Sequence, residues 1–543
     1  MTAQGKVALG LDFGTESVRA LLVTLSGEEV SSAVARYKHG QMTRTLPTTG
    51  EKLPPDFAFQ HPQDWIDASG RATRQALRRA GPECDEVISI GVDFTSCTML
   101  PTLADGTPLC RLDEFAGEMF AWPKLWKHHG AKQQTERINQ LARKRKERWL
   151  SRYGGIIGLE WFFPKILETF DEAPGVYEAA EVWLEAGDWY VWQLVGGEAA
   201  NLPRSTCQAG YKAMWNAHDG YPSQHFFAAL DRQVADVVQR KMPGRMLAPG
   251  QQAGHLIPAM AKKLGLRPGI AVSAATIDAH AGVPGAGVAE AGTLVMVMGT
   301  SSCHMLNARQ ERLIPGIAGV VDGGILPGYY GYETGQAAVG DAFDWFRRLT
   351  GEKGFQRLNA AAAKVAPGAE GVISIDWFNG CRTPLMDGSL RGAFQGLSLN
   401  HDAAHLYRAL IEATAFGLRW IVDLLCEGGV PVRKFVATGG LPHHNPLLVQ
   451  IYADVLGKPI TVPPSAQGPA LGAAILGVLA AGKKATGFGS ASAAVRRMAA
   501  ATENDPLRPA KIVRPERSNR TVYDAAYRRY RETAAAMAGS PSG

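Results

Sequence analysis

Apolar residues come in short runs separated by glycine-rich turns, and two of these units look alike. The run VALGLDF (7–13) is followed by Gly14-Thr15-Glu16-Ser17 and then by VRALLVTL. About half the chain later, TLVMVM (293–298) is followed by Gly299-Thr300-Ser301-Ser302 and CHMLNA. Each unit reads as strand, tight turn, strand, so the chain is expected to hold two related domains that each open with a β-hairpin. Further along, VISIGVDFT (87–95), GIAVSAA (269–275) and KFVATGG (434–440) read as buried strands. Residues 404–429 carry helical apolar spacing that stops at Gly-Gly. Residues 446–457 form a second predicted helix, with Pro near its start and Gly after its end. Strands alternating with helices predict layered α/β domains.

Length supports the duplication, because 543 residues exceed what one core needs. The expected division is 1–288 and 289–543. The balance of 57 basic to 51 acidic residues, net +6, gives no argument for nucleic acid or a membrane as partner. It mildly suits an anionic small molecule. The basic run RKRKERWLSR (143–152) is short, has no matching second patch and reads as a solvated helix face. Seven scattered cysteines without a CxxC pair argue against a disulfide framework or zinc site and for a reducing compartment. The start MTAQGKVALGLDFG is not read as a signal peptide. The longest small-apolar run, 470–482, is shorter than the roughly 20 residues that span a bilayer. A cytoplasmic location is expected. The last five residues, GSPSG, are expected to be disordered.

Chemistry concentrates at the turns. Gly14 permits close backbone approach, Thr15 and Ser17 add hydroxyls, and successive turn N–H groups can form a concave anion site. Asp12 could hold Mg²⁺ through water. The second turn, Gly299, Thr300 and Ser301, has Val297 at the corresponding place and so would hold phosphate alone. Both could equally be ordinary hairpin turns. Gly439 and Gly440 end a strand and Asn445 precedes a helix, an arrangement that lays backbone along a nucleotide. No GxxxxGK[ST] sequence is present, so a P-loop fold is not supported. Asp278, in TIDAHAGVPGAG (276–287), is an acid at the end of a buried strand among small residues. It needs partners or a task; a helix N-cap is the plain alternative.

GLDFGTESVRALLV, GVDFTSCTMLP, IDAHAGVPGAG, MGTSSCHML and GGLPHHNPLLVQIYADVLGKPI occur in the order seen in the FGGY carbohydrate kinases, and the chain resembles that family from Val7 to about Ala536. FAWPKLWKHHGA, RYGGIIGLEWFFPKIL, CQAGYKAMW, YETGQAAVGDAFDWF and DWFNGCRTP are most similar to the members that act on L-ribulose. Many other sugar kinases of the family have Trp-x-Asp-x-Arg where this chain has Trp126-Lys127-His128-His129-Gly130. The resemblance implies two RNase H-like α/β domains, of the actin, hexokinase and Hsp70 ATPase type, around a central cleft. ATP would lie deep in that cleft and the sugar mainly against the N-terminal domain. By the same resemblance Asp278 is the general base on the terminal 5-hydroxyl of ribulose, in L-arabinose catabolism. Ser96, Lys212 and Glu333 are sugar contacts. Asp12, Gly14, Thr15, Gly299, Thr300, Ser301, Gln336, Gly439, Gly440 and Asn445 form the nucleotide side, with Asp12 orienting Mg²⁺. The alternatives are another ketopentose or pentitol, such as D-ribulose or xylulose, and a non-catalytic ATP-binding regulator of the same fold. The oligomeric state stays open, and a homodimer is compatible with the sequence.

Overall fold

The computed structural model describes residues 5–81, 86–505 and 508–539. The first of two seven-stranded sheets opens with an antiparallel meander of β1 (Lys6–Phe13), β2 (Ser17–Thr24) and β3 (Glu29–Arg36). β4 (Glu86–Phe94) lies parallel to β1, and β5 (Gln252–His255) and β6 (Ala271–Ser273) extend the sheet in the order β3-β2-β1-β4-β6-β5. The two-residue strand β7 (Thr276–Ile277) pairs the end of β4. The apolar run 269–275 is thus strand only in part: it pairs over β6, and the chain pairs with β4 again just beyond it, at β7.

The second sheet repeats the plan. It contains β8 (Thr293–Met298), β9 (Ser302–Ala308), β10 (Gly319–Asp322), β11 (Tyr330–Gln336), β12 (Lys434–Thr438), β13 (Ile460–Val462) and β14 (Lys511–Val513), in the order β10-β11-β9-β8-β12-β13-β14. In both sheets a hairpin is followed by parallel neighbours and an antiparallel edge. The hairpins themselves differ. Phe13 pairs Val18 while Met298 pairs Ser302, so the first loop is one residue longer than the second.

Helices cover the sheets. α1 (Pro62–Ala80) packs on β2 and β3. Residues 95–251 hold a largely helical insert that includes α2 (Thr206–Lys212), around a core with Trp122, Tyr153, Trp161 and Phe163. α3 (Asp278–Gly285) follows β7. α4 (Ala403–Glu427) starts at Asp402, whose carboxylate accepts from the backbone N–H groups of Ala404 and His405, and it stops at Gly428-Gly429. α5 (Pro446–Leu456) has Pro at its first position, Asn445 as cap and left-handed Gly457 beyond its end. α6 (Gly468–Thr486) contains the small-apolar run, and α7 (Arg520–Gly539) closes the described chain. Residues 540–543, most of the predicted disordered tail, lie outside the described residues. The basic run is largely exposed, as expected for a solvated face. Trp149, Leu150 and Arg152 depart from it: all three are buried, and Arg152 donates to Glu311 of the second lobe at 2.9 Å. Among the described residues, no single helix is long and apolar enough to cross a membrane.

α6 belongs by sequence to the second lobe but packs on the first sheet and across α3. Glycines make this approach possible. A Cβ on Gly10 would lie 1.9 Å from the Ala470 carbonyl oxygen, and one on Gly91 1.7 Å from that of Ala473. At the helix crossing a Cβ on Gly285 would lie 1.8 Å from the Gly468 oxygen, and one on Gly472 1.7 Å from the Ala281 oxygen. These neighbours are backbone and cannot swing aside. Ordinarily Gly→Ala inside a helix gains about 1 kcal/mol of propensity. Here Gly472→Ala is expected to lower Tm, because overpacking of this kind costs about 1–3 kcal/mol or more. Thermal unfolding of the variant checks it; an unchanged or raised Tm would contradict the crossing.

Candidate active site

Three carboxylates meet at the ends of three adjacent parallel strands. Asp12 on β1 is in register with Asp93 on β4. Ile277 on β7 pairs Phe94, so Asp278, at the first position of α3, stands one step beyond that pair. Asp93 is fully buried, and neither of its oxygens meets a hydrogen-bond donor. Burial, then the neighbouring carboxyls of Asp12 and Asp278, push its pKa well above the usual carboxylate range. Burial also raises Asp12, against the pull of Arg19, whose guanidinium lies 3.2 Å away. Asp278 is half-buried and accepts from the Ala279 N–H at 2.7 Å. Burial and then the Asp12 charge raise it to about 7. As an N-cap it is displaced: the cap residue of α3 is Ile277.

A second constellation joins the lobes. Lys212, the last residue of α2, donates to both oxygens of Glu333 on β11, at 3.0 and 3.1 Å. Both groups are buried, so this is not the surface salt bridge that either residue could have formed. The Arg382 guanidinium also donates to Glu333, and His280 Nε2 lies 3.6 Å from it. Burial alone would raise Glu333; Lys212, Arg382 and His280 outweigh it and hold the carboxylate at about 2. Lys212 is raised because Glu333 outweighs its burial. Its ammonium lies 5.4 Å from the Trp161 ring centroid. Lys212 and Glu333 are also among the charges felt by Asp278. Ser96 is half-buried in the turn after β4. The next residue, Cys97, is left-handed (φ 58°), and buried Lys165 fixes the turn by donating to the Cys97 carbonyl at 2.7 Å.

Gly14 and Thr15 occupy the first hairpin loop, where the Gly14 N–H donates to Ser17 O at 3.0 Å. The insert reaches this loop: Trp126 Nε1 donates to Thr15 Oγ1 at 3.0 Å. Gly299, Thr300 and Ser301 form the second loop, braced by N–H groups of Val339, Gly340 and Asp341. Gly439 (φ 93°) sits against Met298, where a Cβ would lie 2.5 Å from the carbonyl oxygen. Gly440 begins a short helix, Gly440–His444, before α5. The side chains of Gln336 and Asn445 are engaged in the fold. Gln336 donates to Asp376 and to the Thr414 carbonyl, both at 2.8 Å, and its oxygen faces His304 at 3.0 Å. Asn445 caps α5 and donates to Asn359. A cavity of about 250 Å³, lined by Gln63, Asp105, Arg111, Trp189 and Lys263 among others, includes none of these residues.

Sequence reading did not single out Asp93, Arg382 or His280. Asp93 sat inside an apolar run and was read as strand. Arg382 and His280 lie in DWFNGCRTP and TIDAHAGVPGAG, where no local pattern gives either side chain a task. Lys124, His128 and Glu168 explain another stretch. The Lys124 ammonium donates to Glu168 at 2.7 Å, and His128 Nε2 lies 2.8 Å from the same carboxylate, all buried. The Lys-x-x-x-His pattern around Trp126 therefore serves packing of the insert.

Residues 7–285 match the FGGY family of carbohydrate kinases, N-terminal domain, and residues 294–481 match its C-terminal domain. The chain belongs to the FGGY family of carbohydrate kinases. Curated relatives include a ribulokinase of Shouchella clausii, 44% identical over 97% of this chain and 94% of that protein. A ribulokinase of Mycolicibacterium smegmatis is 43% identical over 98% and 94%. A solved xylulose kinase of Rhodospirillum rubrum superposes with a TM-score of 0.78 at 23% identity, covering 98% of each chain. Glycerol kinase of Plasmodium falciparum with ADP gives 0.76 at 17%, covering 97% and 98%. At that identity the two structures speak for the FGGY fold.

Proposed function

We propose that the protein phosphorylates the terminal 5-hydroxyl of L-ribulose with ATP, giving ribulose 5-phosphate and ADP. The observation that carries this reading is Asp278: a half-buried carboxyl at the strand ends that also hold Asp12 and Asp93, within electrostatic reach of the Lys212–Glu333 pair that links the two lobes. The relatives called ribulokinase supply the choice of sugar. In the proposed reaction Asp278 accepts the proton of O5 as that oxygen bonds the γ-phosphorus. The bond from γ-phosphorus to the β–γ bridging oxygen breaks, and ADP leaves with its electron pair. Ser96, Lys212 and Glu333 hold the sugar, since a polyol hydroxyl needs both donors and acceptors. Residues 1–288 would carry the sugar side with Asp12, Gly14 and Thr15. Residues 289–543 would carry the nucleotide side, with Gly299, Thr300, Ser301, Gly439 and Gly440 giving backbone to phosphates or base. Gln336 and Asn445 would contribute through the walls they build.

Asp12 and Asp93 fit a hydrated Mg²⁺. They are adjacent carboxyls, and Asp93 has no donor of its own. Bound there, the ion would supply charge neutralisation for the triphosphate.

An ADP-release assay with Mg-ATP and L-ribulose, D-ribulose, L-xylulose, D-xylulose, ribitol and glycerol tests the reading. L-Ribulose should give the highest kcat/KM, and a strong preference for glycerol would overturn it. The base works only when ionised. The sugar kcat/KM should therefore rise with pH through about 7 and level off above. A profile flat between pH 5.5 and 8.5 would remove Asp278 as the titrating base.

A further inference from the structure

We infer that His280 is a further sugar-contacting residue, whose ring binds a different oxygen of the pentulose from the one that faces Asp278. The inference rests on the ribulose reading above and deepens it. His280 is 1% exposed, and neither ring nitrogen has a hydrogen-bond partner among the described residues. Glu333, at 3.6 Å, is beyond hydrogen-bond reach. A buried polar group left unmet is costly, so one held in place by packing calls for a partner that a bound ligand can supply.

Packing, rather than hydrogen bonding, holds the ring in place. It packs on Tyr211 with centroids 4.1 Å apart. Tyr211 in turn is seated against Gly319, Gly324 and Gly331, where any Cβ would strike its ring or hydroxyl. As residues i and i+2 of one helix turn, Asp278 and His280 do not face each other. Both nevertheless count Lys212 and Glu333 among their charged neighbours. A ligand lying along the Lys212–Glu333 pair is thus offered a proton acceptor at one place and an imidazole at another. Burial lowers the ring to about 3 against the opposing pull of Glu333, and Lys212 and Arg382 add to the lowering. The ring therefore stays neutral, one nitrogen donating and the other accepting, which matches a hydroxyl. It does not compete with Asp278 for the transferred proton.

The test compares His280→Phe, which keeps a ring on Tyr211 but no polar atom, with His280→Asn, which keeps one donor and one acceptor. Steady-state KM for L-ribulose and ATP is measured, with thermal unfolding in the presence and absence of L-ribulose. For His280→Phe, KM for L-ribulose should rise about 10-fold or more, KM for ATP stay within about 2-fold, and Tm not fall; a lost hydroxyl contact of about 1.4 kcal/mol is tenfold. His280→Asn should recover part of the sugar affinity. If His280→Phe does not fold, a reduced L-ribulose-induced Tm rise in His280→Asn supports the inference and an undiminished one overturns it. A folded His280→Phe with unchanged sugar KM also overturns it while leaving the ribulose reading intact. Wild type inactive with every pentulose overturns both.

Discussion

Asp278→Asn is expected to fold and to bind sugar while losing about 10²–10⁴-fold in kcat, the usual cost of removing a general base. The amide has the size of the carboxyl and can keep the Ala279 N–H as donor through its oxygen. It cannot accept a proton from O5. Stability should shift in the opposite sense. The folded pKa of Asp278, about 7, lies above that of a free carboxyl near 4. Its favourable contribution is complete below pH 4 and is lost as pH climbs toward 7. The asparagine variant lacks that slope and should gain on wild type between those values. Near-normal turnover in a folded variant would end the proposed role, whatever its Tm.

Next largest is the pair across the lobes, whose two ends should respond unequally. Glu333→Ala leaves two cations, Lys212 and Arg382, without the carboxylate that both address. Breaking a buried pair so as to strand charge costs about 3–5 kcal/mol. Lys212→Ala leaves Glu333 still paired with Arg382, so its loss should be smaller. Both variants should raise KM for L-ribulose more than KM for ATP. Thermal unfolding and steady-state kinetics on the two proteins check the ordering. A Lys212→Ala protein less stable than Glu333→Ala, or a larger effect on ATP, would count against this view of the pair.

How much was readable in advance depended on the distance between partners. Both hairpins, β4, α4 and α5 follow from local pattern: apolar runs, Gly turns, and Pro and Gly at helix ends. Asp278 was marked by its place after a buried run, but its task came from family resemblance. Asp93 escaped because its meaning lies in strand register, which puts it beside Asp12 from a distant part of the chain. Lys212 and Glu333 could each be suspected, but only the tertiary fold joins α2 to β11. Asn445 has a local reading as well: the resemblance places it on the nucleotide side, and its side chain also does what Asn before a Pro-initiated helix commonly does, capping α5. The run 470–482 was judged only by length, because its contacts at Gly10, Gly91 and Gly285 are remote in sequence.

The position of α6 bears on how the molecule comes into being. Chains of this size often fold from the N-terminus as they leave the ribosome, one domain after another. Here the first sheet lacks the helix that seals Gly10 and Gly91 until residue 486 has been made. The early half therefore leaves this face of its sheet uncovered until α6 emerges, so its last packing step waits for the second half of the chain.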